Sequence, residues 1–146
     1  MTEWTQRAHV LADHAVSGVL GHVSSLHFDT MSELLWIGSA SGQLTSHTGA
    51  LPTLPRYTSL AAHGAPKQPR HVRGILSDDK FIISLSEGRV CASQRQGLGR
   101  WSMQIEDHAP GVALAGLCAS PQSASSDIIV GGAAPNSHDA LFALHS

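Results

Sequence analysis

The strongest constraint on what this chain can fold into is a faint internal echo at a spacing of 46 residues. Leu35-Trp36-Ile37-Gly38-Ser39-Ala40-Ser41-Gly42 lines up with Phe81-Ile82-Ile83-Ser84-Leu85-Ser86-Glu87-Gly88. Each copy is a short apolar run, then small polar residues, then a glycine that opens a second run: Gln43-Leu44-Thr45 in one, Arg89-Val90-Cys91 in the other. A third, less regular copy is Asp127-Ile128-Ile129-Val130-Gly131-Gly132, followed after a polar insert by Ala140-Leu141-Phe142-Ala143-Leu144. Repeated short strands and turns with a period of about 40 to 50 residues are the signature of propeller blades. A blade cannot bury its own two faces, so the repeat points to a scaffold of packed sheets.

The pass along the chain gives an all-β reading with a lead-in over 1–20 and strands over 21–146, in blades of about 21–60, 70–106 and 111–146. Residues 3–20 read equally as a helix, with Trp4, Ala8, Leu11, Ala15 and Val19 near helical spacing, or as a leading strand. From Gly21 the texture is strand-like. Val23, Ser25 and His27 share one face, and Ser24, Leu26 and Phe28 the other. Leu26, Phe28, Leu35, Ile37, Phe81, Ile83, Ile129 and Val130 are the expected buried strand positions. Four prolines between 52 and 69 exclude a long central strand there, while Tyr57-Thr58-Ser59-Leu60 fits a short one. Ser120 to Ser126 reads as an outer loop. The stop at Ser146, where one blade would hand over to the next, suggests a fragment or a truncated gene model.

Composition narrows the function classes. Charged residues are 14% and the formal net charge is -2, so no strong field favours a polyanion. Arg89, Arg95 and Arg100 gather round one turn region and make no nucleic-acid footprint by charge alone. Cys91 and Cys118 have no second pair near them and read as buried free thiols in a reducing compartment rather than as a disulfide or zinc site. No apolar stretch approaches the roughly 18 residues of a membrane span, and the N-terminus does not read as a secretory signal.

Ten histidines invite a metal reading. His9 and His14 are five apart, as are His22 and His27, an odd offset that puts strand neighbours on opposite faces. Neither pair converges locally, and the histidines read as turn and surface residues. Asp78-Asp79 and Glu106-Asp107 read as solvated turn acids, not as the two carboxylates of a metal nuclease. No serine stands in a Gly-x-Ser-x-Gly elbow. Gly97-Leu98-Gly99 lacks the third glycine of a phosphate loop and reads as a connection between strands. Arg100 and Trp101 offer one stacking pair for RNA, but a buried Trp101 anchoring the outer part of a blade is the better reading. The expected catalytic, cofactor-binding and metal-binding residues are therefore none.

Leu26-His27-Phe28-Asp29, Glu33-Leu34-Leu35-Trp36-Ile37-Gly38, Gly42-Gln43-Leu44-Thr45-Ser46 and Arg56-Tyr57-Thr58-Ser59 carry a specific resemblance. It continues through Val72-Arg73, Ile83-Ser84-Leu85, Arg95-Gln96-Gly97-Leu98 and Ile129-Val130-Gly131-Gly132. Together these residues resemble the opening blades of the N-terminal WD-type propeller in the catalytic subunits of the poly(A)-nuclease deadenylation complex, fungal type. No Trp-Asp pair ends a repeat, which suits the degenerate blades of that family; segments 61–71 and 120–126 match loosely.

The resemblance implies a partial propeller, about three blades of a seven-bladed ring. It implies a whole protein that shortens mRNA poly(A) tails as a poly(A)-specific 3'-5' exoribonuclease in the cytoplasm or P-bodies. Its partners would be a pseudokinase adaptor subunit and the poly(A) ribonucleoprotein. Its Mg2+ would belong to an exonuclease domain, none of whose ligands maps onto this chain. The segment itself is then non-catalytic, serving complex assembly and RNA-protein recognition. A generic WD-type interaction module is the alternative, and a small metal-dependent hydrolase a weaker one. Open blade faces are expected to make the fragment unstable or self-associating when made alone.

Overall fold

The computed structural model describes residues 22–48, 55–65, 68–95, 100–104, 113–119, 128–134 and 137–144. The lead-in segment 1–20, the Gly97–Gly99 connection, the 120–126 insert and the Glu106-Asp107 pair lie outside these described residues. Strands β1 (Val23–Asp29), β2 (Leu34–Ser39), β3 (Gln43–His47) and β4 (Arg56–Ala61) form one antiparallel sheet in chain order. A two-stranded ribbon, β5 (Gly64–Ala65) with β6 (Gln68–Pro69), follows. Strands β7 (Gly74–Ser77), β8 (Phe81–Leu85), β9 (Arg89–Gln94) and β10 (Arg100–Gln104) make the second four-stranded sheet. Strands β11 (Ala113–Ala119), β12 (Ile128–Ala134) and β13 (Ser137–Leu144) make a three-stranded one. β1 packs against β7, and β7 against β11. Successive sheets thus meet through their first strands, as propeller blades do, and the molecule is an all-β partial propeller.

The 46-residue echo is structural. Trp36 and Ile82, Ile37 and Ile83, and Leu44 and Val90 occupy equivalent places in the second and third strands of the first two sheets, and all six are buried. Ile129 and Val130 fall in β12, the middle strand of the third sheet, with Val130 buried and Ile129 half-buried.

Turn chemistry explains where the strands reverse. Gly42 sits at φ 82°, a conformation open to glycine without a Cβ clash. The Ser39 hydroxyl accepts from the Gln43 amide at 3.1 Å and closes the β2–β3 turn. Asp78 plays the same part between β7 and β8, its Oδ1 accepting from the amides of Lys80 at 2.7 Å and Phe81 at 2.6 Å.

The main apolar core lies between the first and second sheets. Trp36 and Leu44 meet Val72, Ile75 and Ile82, with Leu34, Leu60 and Ala62 packed on the margin. Each such side chain contributes roughly 1.5–3 kcal/mol on full burial. Hydrogen bonds across the connecting segment fix its position: the Val72 amide donates to Ser39 O at 3.1 Å, and the Ser24 hydroxyl to Val72 O at 2.7 Å.

Two expected core residues stand elsewhere. Leu26 is 63% and Phe28 56% exposed. They lie opposite Ile37 and Leu35 across the β1–β2 ladder and so share the sheet face that turns away from the second sheet. The face of β1 that meets the second sheet carries Ser25, His27 and Asp29 instead. Ile37 and Ile83 are buried as expected, whereas Leu35 and Phe81 are half-buried.

Gly38 marks the tightest approach in this seam. A Cβ there would lie 2.3 Å from Ser25 Oγ and 2.6 Å from Val72 Cγ1. Gly38→Ala is expected to cost about 1–3 kcal/mol, because overpacking forces backbone and side chains apart. Gly116→Ala, whose Cβ meets nothing within 4 Å, should move stability by less than about 0.5 kcal/mol. Urea titration of both variants checks this, and equal midpoints would show that Val72 and Ser25 do not pack against Gly38.

Candidate functional site

Polar groups, not apolar ones, give the seam between the first two sheets its geometry. Asp29, at the end of β1, is 1% exposed. Arg95, just past β9, grips it with both terminal nitrogens: Nη2 donates to Oδ1 at 2.7 Å and Nη1 to Oδ2. The same guanidinium donates through Nε to Asp78 O at 2.6 Å. Asp29 accepts further from the Ser32 hydroxyl, from the Met31 amide at 3.2 Å and from the Ser77 hydroxyl at 3.2 Å. His27 Nε2 and Ser77 Oγ are 2.7 Å apart. The Arg95 hydrogen bonds, reinforced by Ser32 and Met31, hold the Asp29 carboxyl below the usual carboxylate range, and the carboxylate in turn raises Arg95. Burial lowers His27.

A second buried cluster joins the β4–β5 connection to the second sheet. His63 Nε2 lies 2.9 Å from Ser84 Oγ on β8. Its Nδ1 lies 3.8 Å from Cys91 Sγ on β9, and that thiol donates to Ala62 O at 3.2 Å. Burial pushes His63 down to about 4 and pushes the Cys91 thiol up. A cysteine nucleophile needs the opposite arrangement, a thiolate stabilised beside an imidazolium. This neutral pair instead pins a loop to the sheet.

The residues weighed in the sequence fall as follows. His22 is exposed ahead of β1 and His27 half-buried within it. His47 and His63 are buried, which corrects the turn-and-surface reading: an imidazole bonded to a hydroxyl, His47 to Thr45 at 3.0 Å and His63 to Ser84, is accommodated in an apolar setting. Cys91 is buried as expected, but Cys118 on β11 is exposed, which corrects the buried reading of that thiol. Asp78 serves its turn and Asp79 is exposed. Trp101 stands opposite Ala92 in β10, and its side chain lies outside the described residues. Among the described residues no group of three or more His, Cys, Asp and Glu is placed to hold a metal.

Two recesses open along the same seam. The larger, about 1060 Å³, is bordered by Trp36, Tyr57, Leu60, Phe81, Lys80 and Arg95. The smaller, about 140 Å³, is bordered by Arg89, Cys91, Ser93, Arg100 and Ser102, with Ala62 on the facing wall. The pairing of Asp29 with Arg95 and of His63 with Cys91 escaped the sequence reading. The one local signal was the Asp29-Thr30-Met31-Ser32 run, whose spacing suits a carboxylate accepting from the next turn.

Breaking a buried ion pair from one side strands the other charge, so Asp29→Asn should cost about 3 kcal/mol in urea unfolding. The double variant Asp29→Asn/Arg95→Met should cost less than the sum of its singles. Additive losses would mean that the pair is not coupled. Acid sensitivity follows from the histidine. His63 in the unfolded chain takes up a proton near pH 6.5, while in the fold it does so only near 4. The unfolded state binds more protons between those values, so stability falls as pH drops through that window, by on the order of 3 kcal/mol. Asp29, depressed in the fold, gives up its contribution as pH falls below about 4. Urea midpoints that stay flat from pH 7 to pH 4.5, or an unchanged loss in His63→Gln, would contradict this assignment.

No family model matches the chain. Curated proteins do. Over 84 residues it is 43% identical to the PAN2-PAN3 deadenylation complex catalytic subunit of Aspergillus oryzae, a stretch covering 58% of this chain and 7% of that protein. The subunits of the same name from Phaeosphaeria nodorum and Schizosaccharomyces pombe are 40% and 36% identical over 85 residues, again 58% of this chain and 7% of each relative. The chain thus matches about 7% of the length of these relatives. Among solved structures, the WD40 domain of Neurospora crassa Pan2 superposes with a TM-score of 0.66 at 27% identity, covering 84% of this chain and 34% of that one. Sequence and fold agree on one relationship: this partial WD-type propeller matches part of the WD40 domain of fungal Pan2 subunits.

Proposed function

We propose that the chain acts as a non-catalytic part of the propeller of a poly(A)-specific deadenylase subunit in mRNA tail shortening. It would contribute surface for complex assembly and for recognition of RNA-bound protein. The observation that carries this reading is the joint match, 43% identity to a deadenylation-complex subunit together with superposition on a Pan2 WD40 domain. The side-chain chemistry supports it. Among the described residues the most buried carboxylate is neutralised by Arg95, and the His63 imidazole and Cys91 thiol are held in their unreactive forms. In this reading hydrolysis with Mg2+ belongs to an exonuclease domain of the whole protein, within a seven-bladed, cytoplasmic or P-body assembly that includes a pseudokinase adaptor.

Incubating the purified chain with poly(A) RNA and Mg2+ should release no AMP above a blank. Release abolished by His63→Ala would instead favour a metal-dependent hydrolase. An exonuclease-encoding region absent from the same reading frame would favour a generic WD-type interaction module. The exposed Leu26–Phe28 face also predicts self-association of the isolated chain. Size-exclusion chromatography should show a concentration-dependent oligomer that Leu26→Ser/Phe28→Ser shifts toward monomer. A monodisperse monomer at all concentrations would overturn that expectation.

A further inference from the structure

We propose that the small recess on the second sheet is a binding site for a phosphate monoester, the phosphoserine or phosphothreonine side chain of a partner peptide. The inference is independent of the deadenylase reading, since it rests on the residues that line this recess, on β9, β10 and the Ala61-Ala62 segment. In that hairpin Arg100 pairs with Ser93, Ser102 with Cys91, and Gln104 with Arg89. Alternate residues of a strand share a face, so Arg89, Cys91, Ser93, Arg100 and Ser102 all point to one side, and all five border the recess.

Three observations make this a receptor for an anion. First, neither arginine has a carboxylate partner among the described residues. Among the described residues the ion pairs are Arg73 with Glu87 and Arg95 with Asp29, which leaves Arg89 and Arg100 uncompensated. Second, Arg89 Nε is out of water and has no hydrogen-bond partner. A buried donor on a charged group left unsatisfied is costly, and an anion held nearby would offset the charge to which it belongs. Third, both guanidiniums act on the recess itself: each draws the Cys91 thiol downward against the larger opposite effect of burial.

Size and lining select the ligand. About 140 Å³ is well below the roughly 300–1,000 Å³ of ordinary small-molecule sites, and suits one phosphoryl group rather than a nucleotide. A phosphate monoester brings close to two negative charges and three acceptor oxygens. Two guanidiniums and the Ser93 and Ser102 hydroxyls supply matching donors. Single-stranded RNA is usually held by aromatic platforms along a cationic groove, whereas the facing wall here is Ala61 and Ala62.

Calorimetric titration of the whole chain tests this with three probes: a short alanine peptide bearing one phosphoserine, its unphosphorylated twin, and oligoadenylate. The phosphopeptide should bind one-to-one and saturably, at least tenfold tighter than its twin. Arg100→Gln, an exposed position whose change spares the fold, should weaken it about tenfold, and Arg89→Gln similarly. Lys80→Gln, outside the recess, should leave it unchanged. Equal binding of the twin, equal weakening by Lys80→Gln, or no effect of Arg100→Gln would overturn the proposal. So would oligoadenylate binding as tightly as the phosphopeptide with the same loss in Arg100→Gln, because the recess would then read backbone phosphate.

Discussion

A carboxylate taken almost wholly out of water must find its charge matched inside the protein, and Asp29 finds its match 66 residues further on. The rest of the arrangement follows from that demand. Apolar burial between the first two sheets is large but non-directional, and Trp36, Leu44, Val72, Ile75 and Ile82 would tolerate small slides of one sheet on the other. The two-pronged grip of Arg95 does not. It fixes the end of β1 against the end of β9, while Ser77 ties the same carboxylate to β7. A one-residue slip of β1 would turn Asp29 outward and bring Phe28 into its place, stranding a guanidinium that is itself mostly buried. The pair therefore selects one register and one face, a role in which buried charges are better attested than in raising stability.

This also explains which parts of the fold were legible in the sequence. The repeat was, because Ile37 and Ile83 sit in central strands whose two faces are both covered and whose apolar runs are therefore continuous. Turns were legible at Gly42 and Asp78, where the local chain alone demands glycine or a carboxylate. The inner strand was not. In β1 alternation is clear, but a blade has a neighbour on each side, so polarity does not say which face meets the next sheet of the same chain. Leu26 and Phe28 looked like core by hydrophobicity, yet the seam went to His27 and Asp29, whose partners Ser77 and Arg95 lie 50 and 66 residues away. Histidine was misjudged for a related reason. His63 is polar and lies in a Gly- and Pro-rich stretch, which reads as surface, but the hydroxyl of Ser84 lets it be buried neutral.

The arginines show one side chain put to different uses by its surroundings. Arg73 and Glu87 meet at 3.6 Å with both ends well exposed, a pairing that contributes little in water. Arg95 is enclosed and fully partnered, and acts as a structural clamp. Arg89 and Arg100 belong to neither class. They are carried on hydrogen-bonded rungs of one hairpin, so sheet register, rather than side-chain chance, sets the distance between their Cα atoms. Both border a recess also lined by Ala61, Ala62 and Ala92, where larger side chains would have filled the space. Positioned in advance on a rigid ladder, such groups lose less freedom on engaging an anion than flexible surface lysines would. The propeller framework that holds its own charge with Asp29 and Arg95 thus holds a second set of cations in place with no internal anion among the described residues to meet them.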